Sequence, residues 1–155
     1  MSGDSIRNAF INIYPELCYN TKNTVDKIDF LKFINWVINE NNVHLKRQVY
    51  NVIDSADINI KNSKKVFKDC LIIALGSKDI SISDMTKNIK KYDKPQDWTY
   101  GYNEKDLIAI SKETIIKSKK LYEDCIINNI PYFDTSNCRL QEYNKVFEYI
   151  EKNNI

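Results

Sequence analysis

The stretch Ile130-Pro131-Tyr132-Phe133-Asp134-Thr135-Ser136 decides how this chain folds. A long helical pattern runs into it, four residues read as a buried strand, and an Asp-Thr-Ser loop leads into a second helical pattern. That is the joint of an α/β unit, in which ligands gather outside the carboxyl ends of parallel strands. On the near side, Asn103, with Asp106 three residues on, caps a helix of about 25 residues that reaches Asn128. Its packing positions are Leu107, Ile108, Ile115, Leu121, Tyr122 and Cys125. On the far side, a final helix is expected to bury Leu140, Tyr143, Phe147 and Ile150.

Further upstream, Cys70-Leu71-Ile72-Ile73-Ala74-Leu75 is a continuous apolar run closed by Gly76-Ser77. Such runs mark strands covered on both faces, as in parallel sheets. Ser81 with Asp84 resembles a capping box and opens a helix ending near Tyr92, and residues 93–102, with Pro95, Trp98 and Gly101, are irregular. Asp4 can cap a short helix carrying Ile6, Phe10 and Ile13, which Pro15 helps to end. Over 24–41, Val25, Ile28, Leu31, Ile34 and Ile38 recur at helical spacing. Residues 48–53 are rich in β-formers and end at Asp54-Ser55-Ala56-Asp57, and a short helix is expected over 63–68. The expected fold is therefore a single α/β domain over residues 1–155, with a small parallel sheet of about three strands flanked by helices.

Composition narrows the function classes. The 155 residues suffice for one core, and 43% hydrophobic with 28% charged residues is a globular balance. A formal net charge of +2 does not by itself point to nucleic acid or an anionic membrane. No run approaches the roughly 18 apolar residues of a membrane span, and Met1-Ser2-Gly3-Asp4 lacks the features of a signal peptide, so a cytoplasmic protein is expected. Cys18, Cys70, Cys125 and Cys138 form no Cys-x-x-Cys pair and His44 is the only histidine. No metal site or cofactor is expected, and the thiols are expected to be reduced and mostly buried.

Several segments together resemble the later part of an adenylate-kinase-like P-loop small-molecule kinase. They are Asp4-Ser5-Ile6-Arg7 opening a helix, Tyr50-Asn51-Val52-Ile53-Asp54 before a substrate loop, and the run from Leu71 to Gly76. The resemblance continues through Lys87 to Tyr92 with Asp97-Trp98 as a lid-like region, and through the 130–136 stretch as the last strand and base-side loop. It spans nearly the whole chain. The departure is chemical: a P-loop needs Gly-x-x-x-x-Gly-Lys-Ser/Thr, and the three glycines Gly3, Gly76 and Gly101 are never followed by Lys-Ser or Lys-Thr. In the family the P-loop strand lies between the strands matching 50–53 and 71–75. Its loss implies that those two pair directly or that dimerisation fills the gap, because buried unpaired backbone groups cost about 1 to 3 kcal/mol each.

The resemblance implies substrate-facing roles for Asp4, Arg7, Asp54, Asp57, Asp134 and Thr135, now vestigial, and a lid role for Lys87, Lys90 and Lys91. Each has a plainer reading. Asp4 caps a helix, Arg7 is a surface cation, Asp54 and Asp57 cap a turn, the lysines form a solvated helix face, and 134–136 turns the chain and caps the last helix. Family lids favour arginine, whose planar fork holds phosphate in two bonds. Trp98, flanked by Tyr92, Tyr100 and Tyr102, fits a protein interface, and equally a satellite core over the long helix. His44 has no nucleophile or carboxylate at a motif spacing, and Glu123 and Asp124, adjacent on a helix, point to different sides.

The expectation is a non-catalytic, P-loop-kinase-like protein that acts by binding a protein partner, with Tyr92, Trp98, Tyr100, Tyr102, Lys87, Lys90 and Lys91 as the binding surface. An inhibitor of a host defence system, encoded by a phage or mobile element, is one setting for it. The alternative is a substrate and lid fragment of a small-molecule kinase, a phosphotransferase whose P-loop is missing from this chain or supplied by a partner. Homodimerisation and nucleic-acid binding by the lysine face are further expectations, whereas a membrane partner is not expected.

Overall fold

The computed structural model describes residues 36, 52, 54, 60–67 and 70–153. The chain divides into two compact units, Met1–Cys70 and Leu71–Ile155. In the first, α1 spans Ile60–Val66 and buries Ile60 and Ser63, with buried Phe67 just beyond its end. The Ser63 hydroxyl donates to the Ile60 carbonyl at 2.8 Å, so a polar residue on the buried face is satisfied within its own turn. Lys64 and Lys65 occupy the last turn, where positive charge complements the helix dipole. Asp54 lies in a bridge position and, like Val52, is exposed.

The second unit alternates strands and helices: β1 (Ala74–Gly76), α2 (Ile82–Tyr92), α3 (Glu104–Ile127), β2 (Tyr132–Asp134) and α4 (Arg139–Lys152). β1 and β2 pair in parallel, with Ala74 opposite Tyr132, Leu75 opposite Phe133 and Gly76 opposite Asp134. Among the described residues the sheet has two strands rather than about three. The expected strand at 48–53, the N-terminal helices, and the expected pairing of 50–53 with 71–75 lie outside the described residues, apart from the isolated positions named above.

Both strands are shorter than the apolar runs that announced them, and the end of α3 explains why. Asn129 has φ 52°. Its N–H bonds to the Ile126 carbonyl at 3.2 Å, while the Ile130 N–H reaches back to the Cys125 carbonyl at 2.9 Å. This is a Schellman ending, with Asn in the left-handed position and buried Ile130 as its apolar lock. Ile130 thus spends its N–H on the helix and Pro131 has none, so the ladder starts only where the Ala74 N–H donates to the Pro131 carbonyl, at 2.9 Å. Leu71, Ile72 and Ile73 stay half-buried without joining a strand.

One face of the sheet is covered by α3, and on the other α4 packs on β2 while Leu75 of β1 is left exposed. Tyr132 meets Tyr122 of α3 edge to face at 5.2 Å, and Phe133 meets Tyr149 of α4 at 5.8 Å, as alternation along a strand requires. α2 packs on α3, which also packs on β1. The face that α3 buries is Leu107, Ser111, Ile115, Ser118 and Cys125. The two serines let neighbouring elements approach: Thr86 and Ser111 share a hydrogen bond of 2.9 Å, and Ser111 also donates to the Leu107 carbonyl.

Three packing expectations are corrected, the first being Ile108 of α3, which is exposed. α4 buries Val146 with Tyr149 and Ile150 half-buried, whereas Leu140, Tyr143 and Phe147 are exposed. Val146 and Tyr149, the latter against Phe133, lie on the side of the helix that faces β2, and the Leu140/Tyr143/Phe147 stripe lies away from it. Of the three described cysteines only Cys125 is buried, and Cys70 and Cys138 are exposed.

Candidate interaction surface

At the carboxyl ends of the two strands, the loops 77–79 and 134–136 are joined by their own hydrogen bonds. The Thr135 N–H and hydroxyl both donate to the Gly76 carbonyl, at 2.8 and 3.0 Å. The Ser77 and Thr135 hydroxyls lie 2.8 Å apart, and the Asp79 N–H donates to the Ser136 hydroxyl at 2.9 Å. The Ser77 N–H reaches the Ser118 hydroxyl on α3 at 3.2 Å. The expected helix cap is corrected here. Asp134, Thr135 and Ser136 do turn the chain, but the N-cap of α4 is Cys138, which makes no side-chain cap bond, and the Thr135 and Ser136 hydroxyls are spent on β1 and on Asp134 itself.

Lys78 is the centre of this cluster. Its ammonium touches Asp79, pairs with Asp134 at 3.4 Å, and lies 4.7 Å from the centre of the Tyr122 ring. The Asp79 bond chiefly holds its pKa above the ordinary lysine value. Burial pushes the Asp134 carboxyl up, but the Ser136 hydroxyl and N–H together with Lys78 outweigh it and leave the pKa below the ordinary value. Burial, then the Asp134 charge, raise the Tyr132 phenol despite the nearby Lys78 N–H. Its hydroxyl and one Asp134 oxygen are buried without a hydrogen bond among the described residues. The cluster is a clasp in which the Ser77, Thr135 and Ser136 hydroxyls and the Lys78–Asp134 ion pair tie the two loops together. Its signal in the sequence was the pair of polar triplets following the two apolar runs, which parallel pairing sets side by side.

The 93–102 segment is different: its polar groups hold the backbone and its rings face out. The Thr99 hydroxyl donates to Asp93 at 2.5 Å, and the Lys94 N–H donates to the Asp97 carboxylate at 2.8 Å. Successive turns follow, from the Asp97 N–H to the Lys94 carbonyl (2.9 Å), Tyr100 to Asp97 (3.1 Å) and Tyr102 to Thr99 (3.1 Å). Gly101 takes φ 83°, a left-handed turn that suits glycine. Thr99 is buried, while Trp98 is 71% exposed and Tyr92, Tyr100 and Tyr102 are about half exposed. The satellite-core reading of these rings does not hold. Trp98 and Tyr102 meet edge to face, 6.2 Å between centres and 88° between planes.

The lysine face beside them is largely paired. Lys87 lies 3.7 Å from Asp84, Lys90 lies 3.3 Å from Glu104, and Lys91 sits over the Tyr92 ring. Of the residues that the kinase resemblance singled out, Asp4, Arg7 and Asp57 lie outside the described residues, and Asp54 belongs to the other compact unit from Asp134 and Thr135. No group of histidine, cysteine and carboxylate side chains that could hold a metal occurs among the described residues. No helix among them is long and apolar enough to cross a membrane. The chain matches no family model, no curated protein and no solved structure.

Proposed function

We propose that this protein is a non-catalytic binding protein that engages a protein partner through the aromatic turn 92–102. The observation that supports this most is a run of four exposed aromatic side chains on a backbone whose own polar groups already fix its shape. Rigid aromatic anchors lose little conformational freedom on binding and carry much of the energy in interfaces. The strand-end loops, where a kinase would gather its substrate groups, are closed on themselves. That favours binding over phosphotransfer and fits a kinase-like architecture turned to recognition. A small inhibitor of a host defence protein is a setting in keeping with it.

The test is capture on immobilised protein from a lysate, with the wild type and Trp98→Ala side by side and melting curves to show that both are folded. A stoichiometric partner retained by the wild type and lost from Trp98→Ala is expected. Retention by both, or capture by neither, sinks the reading.

A further inference from the structure

We infer that the clasp at the strand ends encloses one ordered water, hydrogen-bonded between the Tyr132 hydroxyl and the Asp134 carboxylate. Among the described residues these two side chains hold the atoms that are shielded from solvent and yet make no hydrogen bond. Buried polar atoms are nearly always paired, so two unpaired ones in the same corner call for a group that serves both.

The fold brings them together. Tyr132 and Asp134 stand two apart on β2, so their side chains rise from the same face of the sheet. In the parallel register Gly76 lies opposite Asp134. The Tyr132 ring leans along that face until its hydroxyl stands over Gly76, where the Cβ of any other residue would overlap it. The missing side chain at Gly76 thus carries the hydroxyl up to the level of Asp134, whose charge it feels.

Chemistry then selects the occupant. The Lys78 N–H approaches the phenol oxygen, so it is the hydroxyl's own proton that lacks an acceptor. The Asp134 oxygen lacks a donor: the Lys78 ammonium, at 3.4 Å, is an ion-pair partner beyond the roughly 2.7 to 2.9 Å of a charge-assisted hydrogen bond. One water meets both needs, accepting from Tyr132 and donating to Asp134. A metal ion would have a single carboxylate to hold it and the Lys78 ammonium beside it, and an anion would face Asp134. Neither atom is open to solvent, which excludes a larger ligand. Buried waters of this kind are held because removing them leaves their partners unpaired.

The experiment is oxygen-17 relaxation dispersion on the full chain in isotope-enriched water, which reads the waters that stay bound for longer than the protein takes to tumble. A crystal structure of the same chain accompanies it. The dispersion amplitude is expected to fall by about one water in Tyr132→Phe. It should be unchanged in Tyr143→Phe, which removes a hydroxyl from the exposed stripe of α4. Urea unfolding shows that both variants are folded. In the crystal, density for a water oxygen within about 3 Å of both atoms is expected. A dispersion that Tyr132→Phe leaves unchanged, or a crystal structure in which the Tyr132 hydroxyl bonds Asp134 directly, overturns the inference. If Tyr132→Phe does not fold, the wild-type crystal structure decides, density between the two atoms supporting the water and its absence refuting it.

Discussion

Asp134 and Lys78 together set how stability responds to pH. The Asp134 carboxyl is held below its ordinary value of 3.8 and the Lys78 ammonium above its ordinary 10.5, so both charges persist between these values. For a depressed carboxyl, the contribution to stability is complete above 3.8 and is lost as pH falls through the lower folded-state value. Asp134→Asn is expected to cost about 1 to 2 kcal/mol in urea denaturation near neutral pH. That difference should shrink as the titration passes below 3.8; a constant difference down to the acid transition would rule out an ionised Asp134 as the source. Gly76 tests the same corner by volume. A methyl there would overlap the Tyr132 hydroxyl and come within 2.9 Å of the ring carbon that bears it. Tyr132 leans on Tyr122 and cannot yield freely. Gly76→Ala should therefore cost roughly 1 to 3 kcal/mol, as overpacking does, and pairing it with Tyr132→Leu should restore part of the loss in the same assay.

Helix ends are the elements most firmly written in the sequence, and they give the cleanest test at this scale. The Ser81 hydroxyl accepts the Asp84 N–H, and the Asn103 side chain accepts the Asp106 N–H, both at 3.0 Å. Ser81→Ala and Asn103→Ala should each lower stability by about 1 kcal/mol, read as a shift in the urea midpoint with unchanged slope. These caps were legible because the residue that starts a helix bonds its own first turn, a contact that sequence neighbours alone decide. The face that a helix buries was less so. On α3 the buried line includes Ser111 and Ser118, which hydropathy ranks with exposed residues but which satisfy Thr86 and the Ser77 N–H across the packing interface. On α4 the apolar stripe Leu140/Tyr143/Phe147 has helical spacing yet points outward, because long-range packing on β2, Phe133 against Tyr149 among it, turns Val146 and Tyr149 inward instead. The aromatic turn was legible as composition only. That Thr99 would be the buried residue and Trp98 the exposed one depended on Asp93 and Asp97 folding the backbone back on itself.

For the molecule as a whole, electrostatics separates a protein-binding role from a nucleic-acid one. The formal net charge is +2 across 155 residues, and of the three lysines on α2, Lys87 and Lys90 have acids beside them while Lys91 sits over the Tyr92 ring. Association with nucleic acid would release condensed counterions, and log K would fall against log salt with a slope near −0.7 for each phosphate neutralised on a single strand. A surface whose positive charges are already paired has few to offer, and its aromatic contacts are insensitive to screening. Binding of a protein or peptide ligand through Trp98 and its neighbours is therefore expected to change by less than about threefold between low and physiological salt. Oligonucleotide binding to the full chain should be negligible across the same range. Titrations at a series of salt concentrations measure both. A slope steeper than about −2 for any ligand would mean that several lysines act together on phosphates, and the lysine face of α2, rather than the rings beside it, would then be the working surface.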